Sequence, residues 1–372
     1  MPAKRLKELA LLFFKLGCTA FGGPAAHIAM MHDEVVRKRQ WFSDSHFLDL
    51  IGATNLIPGP NSTEMAIHIG QERAGWKGLI VAGCCFIFPA VIITGMLAWL
   101  YKDYGQLPQV QPFIYGVKPA ILAVILAAVY PLAQKSLKTI PLQLIGVGVL
   151  VLSLAHYNEL LLLFGAGFLG MSLQLFRDKQ YMPSTFVMLL LPLRSEQVPN
   201  KTQLFLIFLK IGAVLYGSGY VLFAFLDSEL VATGILPRQQ LIDAIAVGQF
   251  TPGPVFSSVT FIGYQIDGAS GALIATVGVF LPSFVFVALL NPIVRMMRNS
   301  TLFASFLDAV NVASIAIIVA VCYTMGVSSI TDWRTELIAV LSLVICFGFR
   351  KVNSAFIVLG GSLLGAMLFY VL

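Results

Sequence analysis

Charge is what this sequence has least of. Only 11% of its 372 residues are Asp, Glu, Lys or Arg, where an ordinary soluble domain carries about 25%. A soluble core of this size could not hide the 58% that are hydrophobic. That share, with a mean hydropathy of +0.85, excludes a cytosolic enzyme, a secreted disulfide scaffold and a disordered tail protein. Cysteine is scarce too. Cys18, Cys84, Cys85, Cys322 and Cys346 sit in apolar stretches without CxxC or Cys/His ligand spacing. They read as small packing residues, and no metal is expected. No GxxxxGK[ST] loop is present, so no nucleotide is expected. No histidine follows His156, which leaves the serine of Gly217-Ser218-Gly219 no downstream base and argues against an intramembrane serine protease. The net charge of +6 is scattered in ones, twos and threes. Without a basic stripe interleaved with aromatics it points away from nucleic acid and towards the positive-inside bias of a membrane protein.

What is there is a series of long apolar runs. They cover roughly 9–31, 47–69, 79–101, 113–133, 140–156 and 160–176, then a short one at 181–193, then 204–226, 241–266, 272–290, 303–326, 337–349 and 355–372. A spanning helix needs about 20 residues, so the chain is expected to be an all-α integral membrane protein with almost no domain outside the bilayer. The basic start of the chain, with no small-residue cleavage site after it, reads as a retained first membrane element rather than a signal peptide.

The six-one-six pattern reflects an internal repeat. Phe14-Lys15-Leu16-Gly17 returns as Leu209-Lys210-Ile211-Gly212, and Phe21-Gly22-Gly23 as Tyr216-Gly217-Ser218. Asp49 returns as Asp243, Asn55 as Gln249, and Pro58-Gly59-Pro60 as Pro252-Gly253-Pro254. Gly70, Gly75, Gly78 and Pro89 return as Gly263, Gly268, Gly271 and Pro282. The offset drifts from 195 at the lysine to 194 at Pro-Gly-Pro and 193 from Gly70 on, which two single-residue deletions explain. An ordered series at so constant an offset marks a duplication. The expected units are a first half over 1–180, a linker with a short membrane segment over 181–200, and a second half over 201–372. Arg37, Lys38 and Arg39 in the first loop are matched by Asp227 and Glu229, and the lysine-free loop at His156 by Arg350 and Lys351. This swap of positive charge orients the two halves oppositely.

The first two elements of each half are interrupted, by Gly22-Gly23-Pro24 or Gly217-Ser218-Gly219 and then by Pro-Gly-Pro. Broken helices at matched positions of inverted halves are the sequence mark of a transporter binding site. Proline favours the first helical position, so helices are expected to start at Pro60 and Pro254. Their free N–H groups and positive dipole ends suit an anion, with Ser62, Thr63, Ser257 and Ser258 as added hydroxyl donors and Asn55 and Gln249 as amide donors. A tight structural kink is the alternative. Lys15 and Lys210 lie deep in their apolar runs, where a charge costs on the order of 3 kcal/mol. They either snorkel or neutralise a dianion. Asp49, Asp243, Glu64 and His68 are candidates for proton coupling, with Glu64 and His68 one turn apart on one helix face. An interfacial helix face and a polar structural pair are the plain alternatives.

At these residues the sequence resembles the chromate ion transporter family. The resemblance rests on Phe14-Lys15-Leu16-Gly17 with Phe21-Gly22-Gly23-Pro24, on Trp41-Phe42, Asp49 and Pro58-Gly59-Pro60, and on the run from Gly70 through Gly75-Trp76 and Gly78 to Phe88-Pro89-Ala90. Its most specific stretch is Gln249-Phe250-Thr251-Pro252-Gly253-Pro254 with Phe261-Ile262-Gly263-Tyr264. It covers both halves, as in the long two-domain form. Ser218 and Gly219 stand where the first copy has Gly23-Pro24, so the two half-sites differ. The resemblance implies export of chromate across a bacterial inner membrane, driven by membrane potential or protons and giving resistance, with sulfate as a competitor of like shape and charge. The partners expected are chromate, sulfate, the lipid bilayer and, as an assembly left open, a second copy in a homodimer; no cofactor is expected. Transport of sulfate or another anion, an anion channel and a non-transporting scaffold are the alternatives. The anion is expected between the two broken-helix pairs near the bilayer midplane, exposed to either side by rocking of the halves.

The loop charges predict a cytoplasmic N-terminus and a C-terminus on the opposite side. Labelling of tagged ends in intact cells and inverted vesicles checks this; both ends on one side would refute the inverted arrangement.

Overall fold

The computed structural model describes residues 2–21, 23–105, 107, 109–178, 200–216, 219–298, 300–349 and 352–370. The expected short membrane segment at 181–193, and Gly22, Gly217 and Ser218 of the expected site, lie outside the described residues. Among those described, every regular element is helical. The first half holds α1 (Pro2–Thr19), α2 (Gly23–His32), α3 (Asp44–Thr54), α4 (Asn61–Tyr104), α5 (Gln111–Ser136), α6 (Ile140–Leu154) and α7 (Glu159–Asp178). The second repeats the order with α8 (Lys201–Val214), α9 (Val221–Leu226), α10 (Arg238–Phe250), α11 (Ser258–Arg298), α12 (Thr301–Ser329), α13 (Trp333–Gly348) and α14 (Ser354–Leu368). Side-chain caps open several of them: Ser43 accepts from the amide of His46 before α3, and Asn200 and Asp332 form reciprocal capping boxes before α8 and α13.

The interrupted elements fold back on themselves. Lys15 and Glu34, 19 residues apart, form an ion pair at 3.5 Å. Lys210 and Glu229, also 19 apart, do so at 2.6 Å. A straight helix would hold such residues about 28 Å apart, so the chain reverses at each first break. It reverses again at Pro58-Gly59-Pro60. His46 Nε2 lies 3.6 Å from Glu72 Oε2 across that break, where a straight helix would put about 39 Å between them.

A third reversal sits inside α4, where the apolar pattern shows only a continuous run. Ala74 and Gly75 leave helical geometry, Gly75 with φ +63°, and Asp267 and Gly268 do the same in α11, Gly268 with φ +57°. Two limbs then run back to back, so closely that a Cβ on Gly70 would strike the carbonyl of Gly78, and one on Gly263 that of Gly271. The recurring glycines thus have two physical reasons, a left-handed turn and a backbone contact. The limb over 61–73 is about 20 Å long, too short to cross a hydrocarbon core of about 30 Å. The limb over 76–104, at about 43 Å, is long enough.

Five described helical stretches are long and apolar enough to cross a membrane, including Gln111–Ser136, Glu159–Phe176 and Thr301–Ser329, and Ile140–Leu154 and Ser354–Leu368 are shorter apolar helices. Leu144, Val147 and Val151 point outward from α6, as do Phe356, Leu359 and Leu363 from α14. Apolar outer faces of this kind suit lipid. The chain is an all-α, multi-pass membrane protein built of two homologous repeats.

The repeats do not pack as two separate bodies. α1 packs on α4 and α8 on α11, within each half, and α4 meets α11 at the centre. Beyond that the halves exchange helices: α5 packs on α13 and α14, while α12 packs on α6 and α7. Helices of each half are therefore embedded in the other. The bodies that the packing defines are the central group α1–α4 with α8–α11 and the two outer groups around it.

The two glycine mechanisms predict different costs. Gly70→Val or Gly263→Val overpacks a backbone contact and destabilises by about 3 kcal/mol or more. Gly75→Ala has open space around its Cβ and costs about 1–2 kcal/mol for the left-handed backbone alone. Thermal unfolding of the purified variants in detergent checks the order.

Candidate anion site

Each Pro-Gly-Pro tip docks on the other half. The amide of Gly59 donates to the carbonyl of Leu215, the residue that follows α8, at 2.7 Å. The amide of Gly253 donates to the carbonyl of Ala20, the residue that follows α1, at 2.8 Å. Ala20 and Leu215 are repeat mates at the offset of 195, so the two bonds are one contact made twice. Pro58, Gly59, Pro60, Pro252, Gly253 and Pro254 are all buried. Gly59 has φ +132° and Gly253 φ +89°, and neither tolerates a side chain. A Cβ on Gly59 would strike Glu64 and come within 2.7 Å of Ser283 Oγ; one on Gly253 would come within 2.8 Å of the Ala90 Cβ. Ala90 and Ser283 are again mates, at offset 193. The tips therefore end at the middle of the molecule, each between a broken helix and the long limb of the opposite repeat.

The helix starts are shifted from expectation. Pro60 is the cap rather than the first residue of α4, which begins at Asn61. Pro254 precedes a 3-10 turn over Val255–Ser257, and α11 begins at Ser258. The tight turn arises because the Ser257 amide bonds the Pro254 carbonyl at 2.9 Å, three residues back.

Ser62, Thr63, Ser257 and Ser258 are buried at these starts. Thr94 donates to Ser257 at 3.2 Å, while the hydroxyls of Thr63 and Ser258 have no hydrogen-bond partner among the described residues, and the side chain of Gln249 hydrogen-bonds with Tyr220. Gly23 is buried beside the first break. Asn55, the mate of buried Gln249, is exposed and accepts from Asn61 Nδ2 at 3.0 Å. Glu64 is fully buried; its Oε1 accepts from Ser283 at 3.3 Å, and its Oε2, like Nε2 of buried His68, has no hydrogen-bond partner among the described residues. The two aspartates part company. Asp49 is exposed, whereas Asp243 is buried, accepts from Tyr101 at 2.6 Å and faces Lys118 at 3.8 Å.

Both lysines of the repeat are engaged. Lys15 keeps a side chain 63% exposed against Glu34, and Lys210 one only 26% exposed against Glu229. Glu34 also takes Lys38 at 3.2 Å and Arg39 at 3.3 Å. In the same loop Lys38 donates to Asp33 at 2.8 Å and holds that carboxyl below the ordinary carboxylate range. Glu34 and Glu229 are functional candidates beyond those that the sequence predicts. Their signal in the sequence is the lysines' own offset of 195. Ser283, which reaches Glu64 from the other half, carried no signal. The aromatic motif has a local job: Arg73 lies 4.7 Å over the Trp41 ring and pairs with Glu8 at 3.4 Å, tying α1 to the turn within α4.

Comparison with known proteins decides the family. The pattern described as chromate transporter matches residues 7–171 and again 202–366. The chain belongs to the chromate transporter family. It is 31% identical to the chromate transport protein of Cupriavidus metallidurans, over 98% of this chain and 93% of the relative. It is 31% identical to the probable chromate transport protein of Synechococcus elongatus, over 92% and 90%. A shorter relative, the uncharacterized transporter YwrA of Bacillus subtilis, is 26% identical over 36% of this chain and 74% of its own length. No solved structure matches the chain.

The matched ion pairs predict charge-swap behaviour. Lys210→Ala should abolish chromate transport while the protein still reaches the membrane, and Lys210→Arg should keep part of it. Lys210→Glu with Glu229→Lys restores folding and transport if the pair is only structural. It restores folding alone if the ammonium must meet the anion from its own position. Labelled-chromate flux with quantitative membrane blots separates the outcomes.

Proposed function

We propose that the protein is a secondary transporter that carries chromate, a tetrahedral dianion, outward across a bacterial inner membrane and so confers resistance. The observation that supports this reading best is the pair of Pro-Gly-Pro tips, each capped onto the opposite broken helix in the buried centre. The relatives named as chromate transport proteins supply the substrate. The helix starts after Pro60 and Pro254 offer backbone donors, and Thr63 and Ser258 offer hydroxyls without another partner among the described residues. Each dipole end contributes about 0.3–1 kcal/mol when exposed and up to ~2 when partly buried, too little alone to strip water from a dianion. In this reading Lys15 and Lys210 add their charge by exchanging Glu34 and Glu229 for the anion. Glu64 and His68, buried without a cation near them in the ion pairs of the described residues, carry the coupling proton, with Asp243 and Asp49 as further candidates. Access alternates by movement of the central hairpins against the outer groups.

The test is labelled chromate and sulfate uptake into inside-out vesicles, with membrane potential and pH gradient set separately. Uphill accumulation that survives ATP depletion and stops when the gradient is dissipated is expected. Voltage-following flux without accumulation would make the protein an anion channel, and ATP-dependent uptake without a gradient would refute the reading. Glu64→Gln should leave potential-driven uptake measurable and remove its response to the pH gradient.

A further inference from the structure

A cleft of about 300 Å³ opens beside the first Pro-Gly-Pro tip, between the ends of α3 and α5 and the face of α12. Its polar lining comes from Asn55, Asn61, Lys135, Ser136, Asn311 and Ser314, and no carboxylate lines it. Lys135 has no carboxylate in ion-pair reach among the described residues. Other lysines differ: Lys138 pairs with Asp308 at 3.3 Å, Lys118 with Asp243 at 3.8 Å, and Lys15 and Lys210 with their glutamates. The cleft therefore holds an uncompensated positive charge among amide and hydroxyl groups, beside the positive end of α4 that begins at Asn61. Asn61 spends one amide hydrogen on Asn55 Oδ1 at 3.0 Å, which leaves its second hydrogen, and both of Asn55, for an acceptor. Ser314 donates to the carbonyl of Tyr216 at 3.2 Å, and the carbonyl next to it, of Leu215, holds Gly59. The wall of the cleft is thus joined to the contact on which the tip depends.

Among the described residues, the matching positions of the other half differ. At the offset of 193 the mate of Asn311 is Lys118, and the packing keeps that register, since the carbonyls of Pro112 and Ser305 meet Gly365 and Gly170 in the same way. Lys118 is committed to Asp243. The cavity beside Asp243, about 430 Å³, is lined by apolar groups such as Leu97, Val117, Val247 and Phe250.

We propose that the Lys135 cleft is a binding vestibule for a tetrahedral oxyanion, present on one face of the protein only. It rests on the transport reading above and adds to it the place where the anion is captured and a structural basis for sidedness. Lys135 attracts the dianion, the amides of Asn55, Asn61 and Asn311 replace part of its water, and Ser314 reports its presence to the tip through Tyr216.

The test uses the full-length protein, purified and reconstituted in one orientation, with chromate and sulfate as probes. Equilibrium binding and transport are measured for wild type, Lys135→Gln, Lys135→Arg and Lys138→Gln, all confirmed monodisperse. Lys135→Gln is expected to weaken binding about tenfold and to raise the half-saturating chromate concentration for supply from one face. Lys135→Arg should retain most of the affinity, and Lys138→Gln should match wild type. Asn311→Asp, which puts a negative charge in the cleft, should abolish binding without unfolding the protein. Wild-type transport with unchanged binding in Lys135→Gln, or an equal shift for supply from both faces, overturns the vestibule and leaves the transport reading standing. Wild type that neither binds nor moves either anion overturns both.

Discussion

Two hydrogen bonds set the architecture: the amide of each tip glycine to the carbonyl of the residue that follows the opposite first helix. A buried amide cannot be left unmade without a cost of about 1–3 kcal/mol, and in a bilayer no water is at hand to take its place. Once Gly59 must meet Leu215 and Gly253 must meet Ala20, much else follows. The first helices must stop short, so that a carbonyl is free. The tips must be glycine, so that the opposing long limbs can close over them. The limbs beneath must be half-length, so that a tip ends in the middle of the protein rather than at a surface.

The charges obey the same economy. The two repeat-matched lysines are each met by a carboxylate from the same repeat, Lys15 by Glu34 and Lys210 by Glu229, while Lys118 is met by Asp243 of the other repeat. Removing one partner of such a pair leaves the other charge exposed to a poor solvent. Asp243 departs from its mate because Lys118 and Tyr101 lie against it, while α3 carries Asp49 on an exposed face. Duplication supplied equal parts, and divergence of their neighbours made them unequal.

Much of the fold was legible in the chain. The class, the repeat and the two breaks per half can be read from apolar runs and from Pro and Gly at constant offset. The glycine trio Gly70, Gly75 and Gly78 was visible as a repeat, but not as a reversal, because a hairpin of two apolar limbs has the same composition as one long helix. The tips were legible as candidate sites and their partners were not. An offset reports common descent, whereas Gly59 meeting Leu215 is a contact between repeats that no periodicity encodes. Glu34 and Glu229 were legible at the offset of the lysines, yet each stands among loop charges from which composition alone does not separate it. Lys135 and Asn311 lay hidden for a third reason. They sit at the end and in the middle of ordinary-looking runs, and only the folded chain sets them on one cleft.

The exchange of outer helices also has a consequence for biosynthesis. α6 and α7 find their packing surface on α12, and α5 finds part of its own on α13 and α14. A ribosome delivers the first of these partners long before the second, at roughly 5–20 residues per second. The nascent first repeat therefore waits in the membrane with its outer helices unpartnered, and its assembly is finished only by the arrival of the second.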